Sequence, residues 1–164
     1  MQTTDFSAVL ADLFSELVNG PPHGNAFMLN SGDVGLIKSL GKLTAADASQ
    51  SVNGGATIAA HARHVQYGLS LMNRWAREGG NPFADATWDV AWRTSQVDDK
   101  EWRSIVDGLT QEASDWQRML GSPREASPIE LSGMIGSIGH LAYHLGAIRQ
   151  IAKTARGPKD GTFS

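Results

Sequence analysis

Two imidazoles four residues apart on a helix lie on one face and can be aimed at a single point, a geometry suited to one metal ion. The chain carries such a pair at His140 and His144, in Gly139-His140-Leu141-Ala142-Tyr143-His144-Leu145-Gly146. Two ligands hold an ion loosely. A third imidazole from another helix closes a tripod and leaves coordination positions open, as catalytic sites do. Far upstream stands His61-Ala62-Arg63-His64, and His64 is the candidate third ligand. A His-x-x-x-His pair is also what two core or surface histidines look like. Four of the five histidines, however, fall in these two clusters, both flanked by apolar residues.

Helices must deliver these side chains, so the apolar spacing along the chain decides whether they meet. Phe6, Val9, Leu10, Leu13, Phe14, Leu17 and Val18 recur at helical spacing from Asp5 to Val18, and Gly20-Pro21-Pro22 stops the run. A long stretch rich in Gly, Asn and Ser follows, Pro21 to Gly55, where Ser31 or Asp33 could cap a short helix up to Leu40 and Thr44–Ala48 another turn. A connection this long is functional or covers something. His23, in its Pro/Gly-rich start, reads as a plain surface residue.

A second long helix is predicted over Ala56–Glu78, ended by Gly79-Gly80-Asn81-Pro82. At ~100° per residue its apolar arc takes in Ile58, His61, Val65, Gly68, Leu69, Leu71, Met72 and Trp75. His61 sits near the middle of that arc and His64 toward one flank, so both point inward and each needs a ligand or a hydrogen bond. Asn81–Val97 reads as a loop carrying Phe83, Trp88 and Trp92, aromatics that plug the end of a bundle or line a pocket. Asp98-Asp99-Lys100-Glu101 opens a third helix that Gly121 closes, with a stripe of Trp102, Ile105, Val106, Leu109, Trp116, Met119 and Leu120. Ser127-Pro128-Ile129-Glu130 starts a fourth, running to about Thr154. Its apolar side holds Leu131, Met134, Ile138, Leu141, Leu145, Ile148 and Ala152, with His140 and His144 along one flank. Gly133, Gly136, Gly139 and Gly146 each weaken it by about 1 kcal/mol relative to Ala. Close helix contact or space for a ligand would account for them.

Four long amphipathic segments and no convincing strand predict an all-α four-helix bundle with a long loop and short helix between the first two helices. One domain spanning residues 1–156 and a loose tail at 157–164 are expected of the 164-residue chain. The histidine clusters can face each other only if the second and fourth helices are neighbours.

Composition narrows the chemistry. A net charge of -3 gives none of the basic footprint that nucleic acid demands. Cysteine is absent, which removes disulfides, thiolate ligands and cysteine nucleophiles; a metal here uses His, carboxylate or water. Met1-Gln2-Thr3-Thr4-Asp5 has no leader pattern and no stretch reaches the length of a membrane span, so a cytoplasmic location without membrane partners is expected.

The runs Thr57-Ile58-Ala59-Ala60-His61-Ala62-Arg63-His64-Val65 and Gly139-His140-Leu141-Ala142-Tyr143-His144-Leu145-Gly146-Ala147-Ile148-Arg149-Gln150 resemble those of the DinB-like superfamily, which includes YfiT-type metal-dependent hydrolases. That family pattern has one histidine in the second helix and a His-x-x-x-His pair in the last. The resemblance implies a four-helix bundle with a divalent ion, nickel or zinc, held by His64, His140 and His144, often in a homodimer. It further implies a small-molecule substrate: members with known chemistry include transferases and isomerases that use a low-molecular-weight thiol. The additional His61, one turn before His64, departs from the pattern and leaves the choice between the two open. The Gly-rich insert between the first two helices maps onto no function of that family.

Three readings follow. As an enzyme, the protein would use His64, His140 and His144 as ligands, with His61 orienting a ligand or carrying a proton, and Tyr143, Trp88 or Trp92 shaping the entrance. A thiol nucleophile would have to come from a cosubstrate. The alternatives are a non-catalytic metal-binding or structural bundle, and a helical interaction module whose histidines bond to one another or to backbone.

Overall fold

The computed structural model describes residues 6–22 and 26–158. His23, the Met1–Asp5 start and residues 159–164 of the expected tail lie outside the described residues. Within them the chain is all-helical, with seven α-helices of which four are long. These are α1 (Ser7–Asn19), α2 (Gly35–Leu40), α3 (Ala45–Ala48), α4 (Ile58–Glu78), α5 (Trp88–Trp92), α6 (Asp99–Gly121) and α7 (Pro128–Ile151), followed by a short 3-10 helix at Lys153–Ala155.

Local chemistry sets the boundaries of the long helices. Capping boxes at Asp98 with Glu101 and at Ser127 with Glu130 start α6 and α7, each carboxylate and cap side chain satisfying backbone N–H groups of the first turn. Thr57 starts α4, its hydroxyl accepting from the Ala60 amide at 3.2 Å. The expected cap of α2 differs: the position before it is Val34, with no side-chain cap bond. Asp33 is spent otherwise, accepting from the Gly35 amide at 2.8 Å and from the Arg149 guanidinium at 2.7 and 2.9 Å.

Each of α6 and α7 packs against both α1 and α4, so α4 and α7 are neighbours, as convergence of the histidines requires. Between them lies one apolar core that includes Phe14, Leu17, Ile58, Leu69, Leu109, Trp116, Leu141 and Ile148. Val9, predicted in the α1 stripe, is instead 53% exposed.

The long insert joins the core. Leu36, Leu40, Leu43 and Ala48 are buried, and Trp102 Nε1 donates to the Leu43 carbonyl at 3.0 Å. Gly20, just before the insert, and Gly35, within it, are in direct backbone contact: with φ of 90° and 72° they need glycine, and a Cβ would stand 2.2 Å from Asp33 O and 2.4 Å from Gly20 N respectively. Buried Glu16 accepts from the amides of Phe27, Met28 and Leu29 at 2.7–3.0 Å, which satisfies three donors in an otherwise irregular segment. The start of the expected tail is also engaged, since Gly157 lies so close to the Asp33 carboxylate that a Cβ there would fall 2.1 Å from Oδ2.

Two elements depart from the sequence expectation. Asn81–Val97 is not all loop, because Trp88–Trp92 forms α5 and packs against α4. The i, i+4 pair of tryptophans turns one side of that short helix toward the histidines, and tertiary contact overrides a sequence too short to be helical alone. Nor is α7 amphipathic, since its solvent side carries Ile129, Ile135 and Tyr143 at 75, 55 and 68% exposure beside the exposed glycines. Of the four glycines of α7 only half-buried Gly133 is closely packed, a Cβ there falling 2.7 Å from the Trp75 ring; at exposed Gly136, Gly139 and Gly146 nothing lies within 4 Å.

Candidate metal centre

His61 and His64 sit one turn apart on α4, and His140 and His144 one turn apart on α7. Because those helices pack side by side, all four rings form one cluster. His140 Nε2 stands 3.1 Å from His64 Nε2 and 3.0 Å from His144 Nε2. His64, His140 and His144 each offer a nitrogen to a group whose members lie within 4.8 Å of one another, an arrangement that can hold a metal ion. His61 lies outside this group. Its Nδ1 is 2.9 Å from Nδ1 of His144, on the far side of that ring.

The donor set fits an ion on two grounds. Nitrogens ~2.1 Å from a shared ion stand roughly 3.0 to 3.4 Å apart for angles between 90° and tetrahedral, which matches both short contacts. The second ground is proton bookkeeping. A neutral imidazole nitrogen bears either one proton or one lone pair, so His140 Nε2 must share that single feature between two partners. A cation among the three nitrogens removes the conflict, each lone pair then facing the charge.

Burial keeps the rings neutral and hence able to ligate. His64 is pushed down to about 4 by burial first, then by the neighbouring His140 and His61. His144 is pushed down to about 3 by burial first, then by His140, His64 and His61. Burial alone lowers His61 and His140. His61, His64 and His144 are nearly inaccessible, whereas His140 is exposed, so the group is reached from its side.

Aromatic rings of the 81–97 segment pack against the α4 histidines. Trp92 stacks on His64 with ring centroids 4.3 Å apart and meets His61 edge-on at 5.4 Å. Trp88 lies 5.3 Å from His64 and stacks on Phe83 at 5.9 Å. The segment is strapped to the polar face of α4: Arg74 pairs with Asp85 at 2.6 Å and donates to the Pro82 carbonyl, and Tyr67 Oη accepts from the Thr87 amide at 2.9 Å. Tyr143 meets His144 edge-on at 5.0 Å and is otherwise in solvent. Of the entrance residues expected from sequence, Trp88 and Trp92 therefore cover the cluster, and Tyr143 flanks it. His64 Nδ1, buried under these rings, has no hydrogen-bond partner in the protein.

No family model, curated protein or solved structure matches the chain.

Proposed function

We propose that this chain is a DinB-like, divalent-metal-dependent enzyme whose ligands are His64, His140 and His144, acting on a small-molecule substrate as a thiol-dependent transferase or isomerase, or as a hydrolase. The observation that carries the reading is the convergence of three neutral imidazoles, two buried and one exposed, from two helices distant in sequence, within ligand-sharing distance. The motif resemblance supports the choice of family and of nickel or zinc, and the bundle-like pairing of the long helices is in keeping with it.

When bound, a divalent ion supplies Lewis acidity, enough to make a nucleophile of water or of a thiol near neutral pH. The chain's own residues do the rest. His61 contacts His144 at Nδ1, the nitrogen that a ligand through Nε2 leaves free. That bond fixes the tautomer and orientation of His144, the task an outer partner performs for a metal-bound histidine. Trp92, stacked on His64, holds that ring's plane and keeps water off it. His140, alone exposed among the three, leaves the approach open for substrate. With no cysteine in the chain, a thiol nucleophile belongs to a cosubstrate.

The same reading carries a homodimer. The exposed Ile129, Ile135 and Tyr143 side of α7 would be covered by pairing, as an apolar face of a helix requires.

The test is activity against metal. Protein prepared without an affinity tag is assayed with glutathione, mycothiol or bacillithiol plus electrophiles, and with small esters and amides. Activity that disappears on chelation and returns with nickel or zinc is expected; activity indifferent to metal removal would refute the enzyme reading.

A further inference from the structure

A cavity of about 300 Å³ adjoins the histidines, between α4, α7 and the Phe83–Trp88 stretch. Val65, Leu69, Met72, Phe83, Trp88 and Leu141 supply its walls, and no Asp, Glu, Lys or Arg lines it. Besides the indole N–H of Trp88, two side chains bring polar atoms to it. Ser137 is already committed, donating to the Met134 carbonyl at 2.7 Å and accepting from Trp116 Nε1 at 2.8 Å. The other is His140, through which the cavity reaches the three-histidine group.

Glycines keep this space open. A Cβ at Gly68 would meet only His140 Cε1 at 3.7 Å and the Trp88 ring at 3.8 Å, and at the exposed rim a Cβ on Gly136 would meet nothing within 4 Å. Neither helix gains from glycine there, each costing about 1 kcal/mol relative to Ala. The volume left free is what they provide. A charged group entering would lose its water without finding an opposite charge, whereas an apolar group gains by every square ångström it buries. A cavity of roughly 150 Å³ takes up benzene, so this one accepts about a fused bicyclic ring.

We propose that this cavity seats an uncharged, apolar ring or chain of the substrate, about the size of a fused bicycle, and presents its reactive end at His140. The proposal rests on the three histidines being the reaction centre. Substrates of this protein are therefore amphiphilic, with an apolar body and the reacting bond at one end.

Calorimetric titration of metal-free protein with 2-naphthol and with 2-naphthoate at neutral pH reads the cavity without the metal. Saturable binding of one naphthol is expected, with naphthoate weaker by roughly tenfold or more, since its carboxylate meets no cationic side chain. Gly136→Leu, which fills the rim, is expected to weaken naphthol by about tenfold, and Phe83→Ala, which removes an exposed wall, to weaken it several-fold. Absence of saturable binding, equal binding of naphthoate, or binding unchanged in both variants would overturn the proposal. Nickel uptake by the same samples separates the two readings. Naphthol bound without nickel uptake supports the cavity and strikes the metal centre, and nickel bound without naphthol strikes the cavity alone.

Discussion

His61 and His64 are one turn apart and equally buried, yet they stand on different sides of His144. His64 shares the group of converging nitrogens, and His61 meets the nitrogen that faces away. A direct ligand and its orienting partner respond differently to mutation. Replacing His61 with Ala is predicted to weaken nickel or zinc affinity by about 10 to 100-fold at unchanged stoichiometry, and His61→Gln, which can still accept from His144, to recover part of it. Competition with a chromogenic chelator measures both, and stoichiometric loss of metal in His61→Ala would instead make His61 a ligand. Spacing alone made His140 and His144 legible as a pair and turned both α4 histidines inward. It could not say which of the two would meet them, because that depends on the rotation of α4 against α7.

At the scale of elements, the four long helices were readable because periodicity, caps and stops agree at each end, as at Ser127-Pro128-Ile129-Glu130. What escaped were features decided by distant contacts. The α5 helix is too short to announce itself, and its tryptophans matter through their contacts with His64, Trp92 stacked on that ring and Trp88 tilted against it. The Asp33–Arg149 pair joins positions far apart in sequence, so the insert's role in the core was invisible. That pair is bidentate, with side-chain exposures of 2 and 15%. Arg149→Ala strands a buried carboxylate and is predicted to cost about 3–5 kcal/mol in urea unfolding; a loss within experimental error would mean the insert is held otherwise. The glycines of α7 divide in the same assay. Gly133→Ala drives a methyl into the Trp75 ring and is expected to cost about 1–3 kcal/mol. Gly146→Ala meets nothing and should stabilise by about 0.5–1 kcal/mol. Equal effects at the two positions would contradict the packing.

Across the whole molecule, the acidic balance, the lack of cysteine and an all-helical architecture were legible from composition and pattern. Among the described residues no helix is long and apolar enough to cross a membrane. The solvent side of α7 was not foreseen, because a glycine-rich helix can be apolar all round and still look like one with a buried stripe. If that side pairs with a second copy, sedimentation equilibrium will find twice the 17.6 kDa of one chain, and Tyr143→Glu, placing a charge on the covered face, will shift the mass to that of a single chain. A wild-type mass of one chain across the concentration range would remove the homodimer.

Four rings from two helices make one cluster, and the rest of the functional reading depends on that cluster taking up a metal. Elemental analysis of tag-free protein, native and reloaded with nickel or zinc after chelation, addresses it most directly. About one ion per chain is predicted for the wild type, and none retained through desalting by His144→Ala with its helical circular dichroism preserved. Wild-type protein that takes up no ion, or a His144→Ala variant that keeps its full complement, would contradict a centre built from His64, His140 and His144.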